Sequence, residues 1–152
     1  MADKPPAEFP IDERLVRELL ISQAGGIDGA ASLPLVHADD GWDCSVWRLG
    51  SELAVRLPRR EMAASLIEHE QHHLAALADR LAPLGVPAPI LSGVPDRSFP
   101  WPWSVVPWFS GESGLSVPRS TRVGWAQPLA EALVALHVPA LGPFPPNPFR
   151  GV

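Results

Sequence analysis

The chain has 152 residues, 46% apolar and 19% charged, with a formal net charge of -5; this is the make-up of one globular domain with a core, and it is too short for two full ones. The negative balance argues against a nucleic-acid partner, which needs clustered Lys and Arg to displace counterions, but leaves room for a small anion met by local positive charge. The single cysteine, Cys44, closes no intramolecular disulfide, and neither Met1 to Pro10 nor any apolar run reads as a targeting signal or a membrane span, so cytoplasm is the expected compartment.

In chain order, Asp12 is placed to cap a helix reaching about Gln23, with Leu15, Val16, Leu19 and Leu20 as its apolar stripe, and Gly25 and Gly26 stop it. Short β-type runs follow at Leu35 to Ala38, Cys44 to Leu49 and Leu53 to Leu57, separated by Asp39-Asp40-Gly41 and Gly50-Ser51, which predicts an antiparallel meander. The next helix is predicted from Met62 to Leu81, with Leu66, Glu70, Leu74, Leu77 and Leu81 on one stripe. Pro83, Pro87 and Pro89 break it ahead of two strands, Pro89 to Ser92 and Trp103 to Trp108. Beyond Gly111 a polar linker leads to a helical stretch, Ser120 to His137, interrupted by Pro128, and then to a Pro-rich, irregular end from Pro139 to Val152.

The chemistry lies in the third strand and the helix after it. Alternation puts Leu53, Val55 and Leu57 on one face and Ala54 and Arg56 on the other. A glutamate within an apolar helix stripe is costly to bury alone, so Glu70 should meet a cation, and Arg56 is on the preceding element. A small residue beside a cation, paired to a glutamate on the next helix, is how kinases hold ATP phosphates. Here the runs Gly41-Trp42-Asp43, Val46-Trp47-Arg48-Leu49-Gly50 and Val55-Arg56-Leu57-Pro58-Arg59-Arg60 resemble the aminoglycoside phosphotransferase family. So do Glu70 with Leu74, Val86-Pro87-Ala88-Pro89, and Pro100-Trp101-Pro102-Trp103-Ser104-Val105-Val106-Pro107-Trp108.

The resemblance implies an α+β, kinase-like N-lobe: a five-stranded antiparallel sheet packed on a long helix, preceded by an N-terminal helix. Residues 1–110 would be the nucleotide-binding lobe with its hinge, and 111–152 a linker and the first helical segment of a truncated C-lobe. It also implies ATP or GTP as cofactor, with Asp39 to Ser45, including Gly41, Trp42, Asp43 and Ser45, as a hairpin tip whose backbone N–H groups meet phosphates. Ala54 would pack on the base, Arg56 would touch phosphate and Glu70 would orient it, while Val106, Pro107, Trp108 and Phe109 would form a hinge reading the base edge. Cys44 stands where the family often has Asn, and Arg56 where protein kinases have Lys; a guanidinium is a fork donor and not a point charge.

After His137 nothing resembles the family's His-x-Asp loop with its following Asn, or its later metal-binding Asp. No catalytic or metal residue is therefore assigned, turnover by the chain alone is not expected, and Mg and the small-molecule hydroxyl acceptor belong to the complete family member.

Two other functional readings are open at this level. His69-Glu70-Gln71-His72-His73 matches His-Glu-x-x-His, which on a helix would offer two zinc ligands and a general base, with His137 or Glu112 as third ligand. A non-catalytic module would self-associate through exposed Leu129, Leu133, Val134 and Leu136. The remaining features have plainer explanations: most of the tryptophans, Trp108 excepted, as packing, Arg59-Arg60 as an exposed pair at the start of the helix, and Cys44 as a small buried hydrophobe.

Overall fold

In the computed structural model, which describes residues 4–81 and 85–139, helix α1 spans Glu13–Gln23. The Asp12 carboxylate accepts the Leu15 N–H at 2.8 Å, satisfying one of the free donors of the first turn, and Leu15, Val16, Leu19 and Leu20 are buried as their spacing requires. Five strands follow: β1 (Leu35–Asp40), β2 (Cys44–Leu49), β3 (Leu53–Pro58), β4 (Leu91–Gly93) and β5 (Trp103–Pro107), with helix α2 (Glu61–Ala78) between β3 and β4. All neighbours pair antiparallel, in the order β1-β2-β3-β5-β4. The α+β fold with a five-stranded antiparallel sheet is thus the fold found.

The boundaries differ in instructive ways. β1 runs on to Asp40 and carries a bulge between His37 and Asp39. β4 begins at Leu91 and not at Pro89, since a proline donates nothing to a ladder. β5 ends at Pro107, and Trp108 N–H donates instead to Glu52 O at 2.8 Å. Gly50 turns the β2–β3 hairpin with φ 62°, a conformation that favours glycine.

The sheet has two unlike faces. Trp47, Leu49, Val55, Leu57, Trp103 and Val105 join the α1 stripe in one apolar cluster, and Phe9, Phe99 and Trp101 extend it through edge-on ring contacts. The main core therefore lies under the short α1 and not under the long α2, contrary to the emphasis the sequence suggests. Helix α2 packs on β3 and β5, over the face that carries Arg56 and Ser104, which are cross-strand partners. Within α2 only Ala63 and Ile67 are fully buried, and neither is on the expected stripe; Leu66, Leu74, Leu77 and Leu81 are half-buried. The physical reason is the polarity of the surface beneath, which α2 meets with Glu70 and Gln71.

The chain divides into two compact units, one up to Glu112 and one from Ser113 onward. In the second, a 3-10 helix over Arg119–Trp125 runs into α3 (Ala126–Leu136). Pro128 does not interrupt the helix, because it lies in the first turn of α3, where an N–H would have no intrahelical partner. Pro83 and the Pro-rich end beyond Pro139 lie outside the described residues.

Candidate functional site

Arg56 and Glu70 meet as inferred. The guanidinium donates from Nη1 to Glu70 Oε2 and from Nη2 to Oε1 at 3.2 Å, a two-point contact that fixes the plane of both groups. The side chains are 22% and 29% exposed, so the pair is shielded on most sides yet reachable from solvent. Burial works against the Arg56 charge, but the Glu70 carboxylate and the neighbouring Cys44 together outweigh it and raise the guanidinium above its ordinary range. Cys44 lies beside Arg56, and burial pushes its thiol up to about 11. It is a small buried neighbour and no nucleophile at neutral pH.

Next to this pair, Ala54 and Val106 are cross-strand partners on the same face, 2% and 3% exposed, and make a small apolar floor that neighbouring groups cover. Arg48 pairs across with Ala54, and its guanidinium stands over the Trp108 ring, 5.5 Å from the centroid, a cation–π contact. Phe109 lays its half-exposed ring on Gly85, where a Cβ would come within 2.7 Å of it. The segment from Val106 to Phe109 thus leaves the sheet beside the floor, anchored by the bond from Trp108 N–H to Glu52.

The tip between β1 and β2 is braced from below, which the sequence reading missed. Arg59 donates to Gly41 O at 2.8 Å, and Arg59 N–H to Asp43 O at 2.8 Å. Arg60 bonds Asp43 Oδ1 at 3.2 Å with a side chain only 18% exposed. Arg59-Arg60 is therefore no exposed pair but a two-armed clamp on Gly41, Trp42 and Asp43. The N-terminal segment joins it: Glu8 N–H donates to Arg59 O at 2.9 Å, the Glu8 carboxylate accepts Glu61 N–H at 2.8 Å at the start of α2, and Lys4 reaches Asp39 at 3.4 Å. Arg60, at the cap position of α2, has no side chain to accept that N–H, so Glu8 supplies the missing anion.

Among the predicted residues, Ala54, Arg56, Glu70 and Val106 come together on one face, with Gly41, Trp42 and Asp43 at the β1–β2 tip and Pro107, Trp108 and Phe109 at and just beyond the end of β5. Trp42 is 53% exposed at the tip. Ser45 stands apart: its side chain is on the opposite face, buried, where its hydroxyl accepts the Trp47 indole N–H at 3.1 Å and bonds the Asp40 carboxylate. Gln71 was also missed; its amide donates to Trp103 O at 2.8 Å and Ser104 Oγ at 3.2 Å and ties α2 to β5 beside the ion pair. Its signal was its place next to Glu70 on the same turn.

The structure gives the zinc reading no support. Among the described residues no three His, Cys, Asp or Glu side chains converge as a metal site, and Glu70, the base that reading needs, is held by Arg56. His72 Nδ1 is 2.8 Å from Glu68 O, within its own helix.

Residues 35–150 match the family described as the APH phosphotransferase enzyme family. The fold is similar to the GDP complex of wild-type aminoglycoside 2'-phosphotransferase-IIIa, with TM-score 0.69 and 14% identity over 83% of this chain and 42% of that one. It is also similar to the GDP and kanamycin complex of APH(2")-IIia, with TM-score 0.65 and 16% identity over 80% of this chain and 40% of that one. The streptomycin and ATP ternary complex of APH(2")-IIa matches with TM-score 0.55 and 14% identity over 88% and 42%. The chain thus spans about 40% of the length of these solved structures. No curated protein matches it.

Proposed function

Because this chain belongs to the phosphotransferase enzyme family, we propose that residues 1–110, the nucleotide-binding lobe with its hinge, grip a nucleoside triphosphate for phosphoryl transfer to a hydroxyl of a small molecule. The observation that carries this reading is the two-point Arg56–Glu70 pair on the face that also holds the Ala54–Val106 floor. Arg56 spends one edge of its guanidinium on Glu70 and keeps donors for phosphate oxygens, while Glu70 holds its orientation. The base lies on Ala54 and Val106, and the backbone of Gly41 to Ser45 offers N–H groups to the phosphates. Since Trp108 N–H is already given to Glu52, the base edge is read by the backbone of Pro107 and Phe109. The solved relatives bind GDP or ATP, which supports a nucleotide ligand; both ATP and GTP fit this reading.

Magnesium would travel on the phosphates, because the described residues form no site for it. No group among the described residues is assigned to take the acceptor's proton. No helix of the described residues is long and apolar enough to cross a membrane. The test is titration of the chain with ATP and GTP, followed by calorimetry and by tryptophan fluorescence. Saturable binding that Arg56→Met weakens by roughly tenfold or more supports the reading, on the strength of charge-assisted hydrogen bonds. Saturable binding indifferent to Arg56→Met would count against it.

A second reading, self-association through α3, is favoured by Leu129 and Val134, 56% and 73% exposed. A sedimentation coefficient that stays constant across a hundredfold range of concentration would remove it.

A further inference from the structure

The hairpin tip that is to meet phosphates is acidic: Asp39, Asp40 and Asp43 all lie on it. Three carboxylates at a polyphosphate seat would repel the ligand over the distance that salt leaves unscreened, about 8 Å in physiological buffer. Each of them has a side-chain partner. Asp43 is bonded by Arg60 at 3.2 Å, Asp39 by Lys4 at 3.4 Å, and Asp40 by His37 at 3.0 Å with the Arg59 charge close by. Arg60, 18% exposed, is more enclosed than Lys4 or His37, and it also reaches Trp42 O at 3.5 Å, whereas Arg56 has its own carboxylate in Glu70.

We propose that Arg60, assisted by Lys4, is a positioning residue for the nucleotide: it neutralises and pins the hairpin's own carboxylates so that a polyphosphate can approach the backbone N–H groups, without touching the ligand itself. This rests on the reading that the tip meets phosphate. Arg60 acts through Asp43, so its contribution vanishes when Asp43 carries no charge. A guanidinium that bonded the ligand directly would matter whatever stood at position 43. The two roles therefore separate in a double-mutant cycle.

The experiment measures dissociation constants of ATP and of inorganic tripolyphosphate for the full chain and for Arg60→Met, Asp43→Asn and the double variant, each checked by circular dichroism and melting. Methionine retains the apolar stem, and the buried Arg60 Nε has no acceptor to lose. Arg60→Met is expected to weaken both ligands by roughly five- to tenfold, the scale of one unmasked charge near a polyanion at partial screening. Asp43→Asn is expected to tighten both, and the double variant to return to the parent value or better. A double variant as weak as Arg60→Met alone, or single variants that bind like a parent with measurable affinity, would overturn the proposal and leave the nucleotide reading standing. A parent that binds neither ligand overturns both. Should Arg60→Met fail to fold, Lys4→Met with Asp39→Asn repeats the cycle on exposed side chains, with the same outcomes expected at smaller amplitude.

Discussion

Replacing Arg56 by methionine removes both donors from Glu70 while keeping an apolar stem between β3 and α2. A fully buried carboxylate abandoned in this way costs about 3–5 kcal/mol, and an exposed pair about 0–1 kcal/mol. Here Glu70 is 29% exposed, so water reaches the orphaned carboxylate and softens the penalty to about 2 kcal/mol. For a unit of this size the melting temperature should fall by roughly 10 °C, at about 4–8 °C per kcal/mol. The six tryptophans make urea and thermal unfolding simple to follow by fluorescence. Adding Glu70→Leu should recover part of the loss, since the stranded charge is then gone. The raised Arg56 pKa keeps the pair's stabilisation complete below the ordinary guanidinium range and removes it only at higher pH, so the Arg56 side adds no pH dependence between pH 6 and 9. Equal unfolding midpoints for parent and Arg56→Met, or no recovery in the double variant, would mean that the pair does not fasten α2 to the sheet.

Three further outcomes are expected. Gly93→Ala places a Cβ 2.2 Å from the fully buried Trp103 ring, so it should destabilise the first unit by about 2 kcal/mol or more, read by urea unfolding. Cys44, its thiol raised to about 11 by burial, should resist a thiol reagent at pH 8 in the folded chain and react fully in denaturant; rapid labelling when folded would contradict its burial. Burial pushes the Asp40 pKa up, but hydrogen bonds from Ser45 and His37 and the nearby charges leave it below its ordinary 3.8. A depressed folded value stabilises above 3.8 and is lost as pH falls through the folded value, so acid unfolding near and below pH 4 should become shallower in Asp40→Asn.

What the sequence alone determined is what local periodicity can encode. Period-two alternation separated Val55 and Leu57 from Ala54 and Arg56, and a glutamate on the inner side of a helix required a cation, which the preceding strand supplied. The α1 cap and stripe are equally local, and so are the three strands of the first meander.

Only the tertiary structure decided the rest. That β5 sits between β3 and β4, that the core fills under α1, and that α2 meets a polar face all depend on pairings between distant segments. The same holds for the clamp of Arg59 and Arg60 and for Glu8 at the start of α2, which join the N-terminal segment, the hairpin tip and the β3–α2 corner. Ser45 fell to the far face because β2 alternates too, and its hydroxyl found Trp47. Such contacts leave no periodic trace in a sequence: a charged or polar side chain shows that it needs a partner, but which partner it finds is fixed by the closing of the sheet.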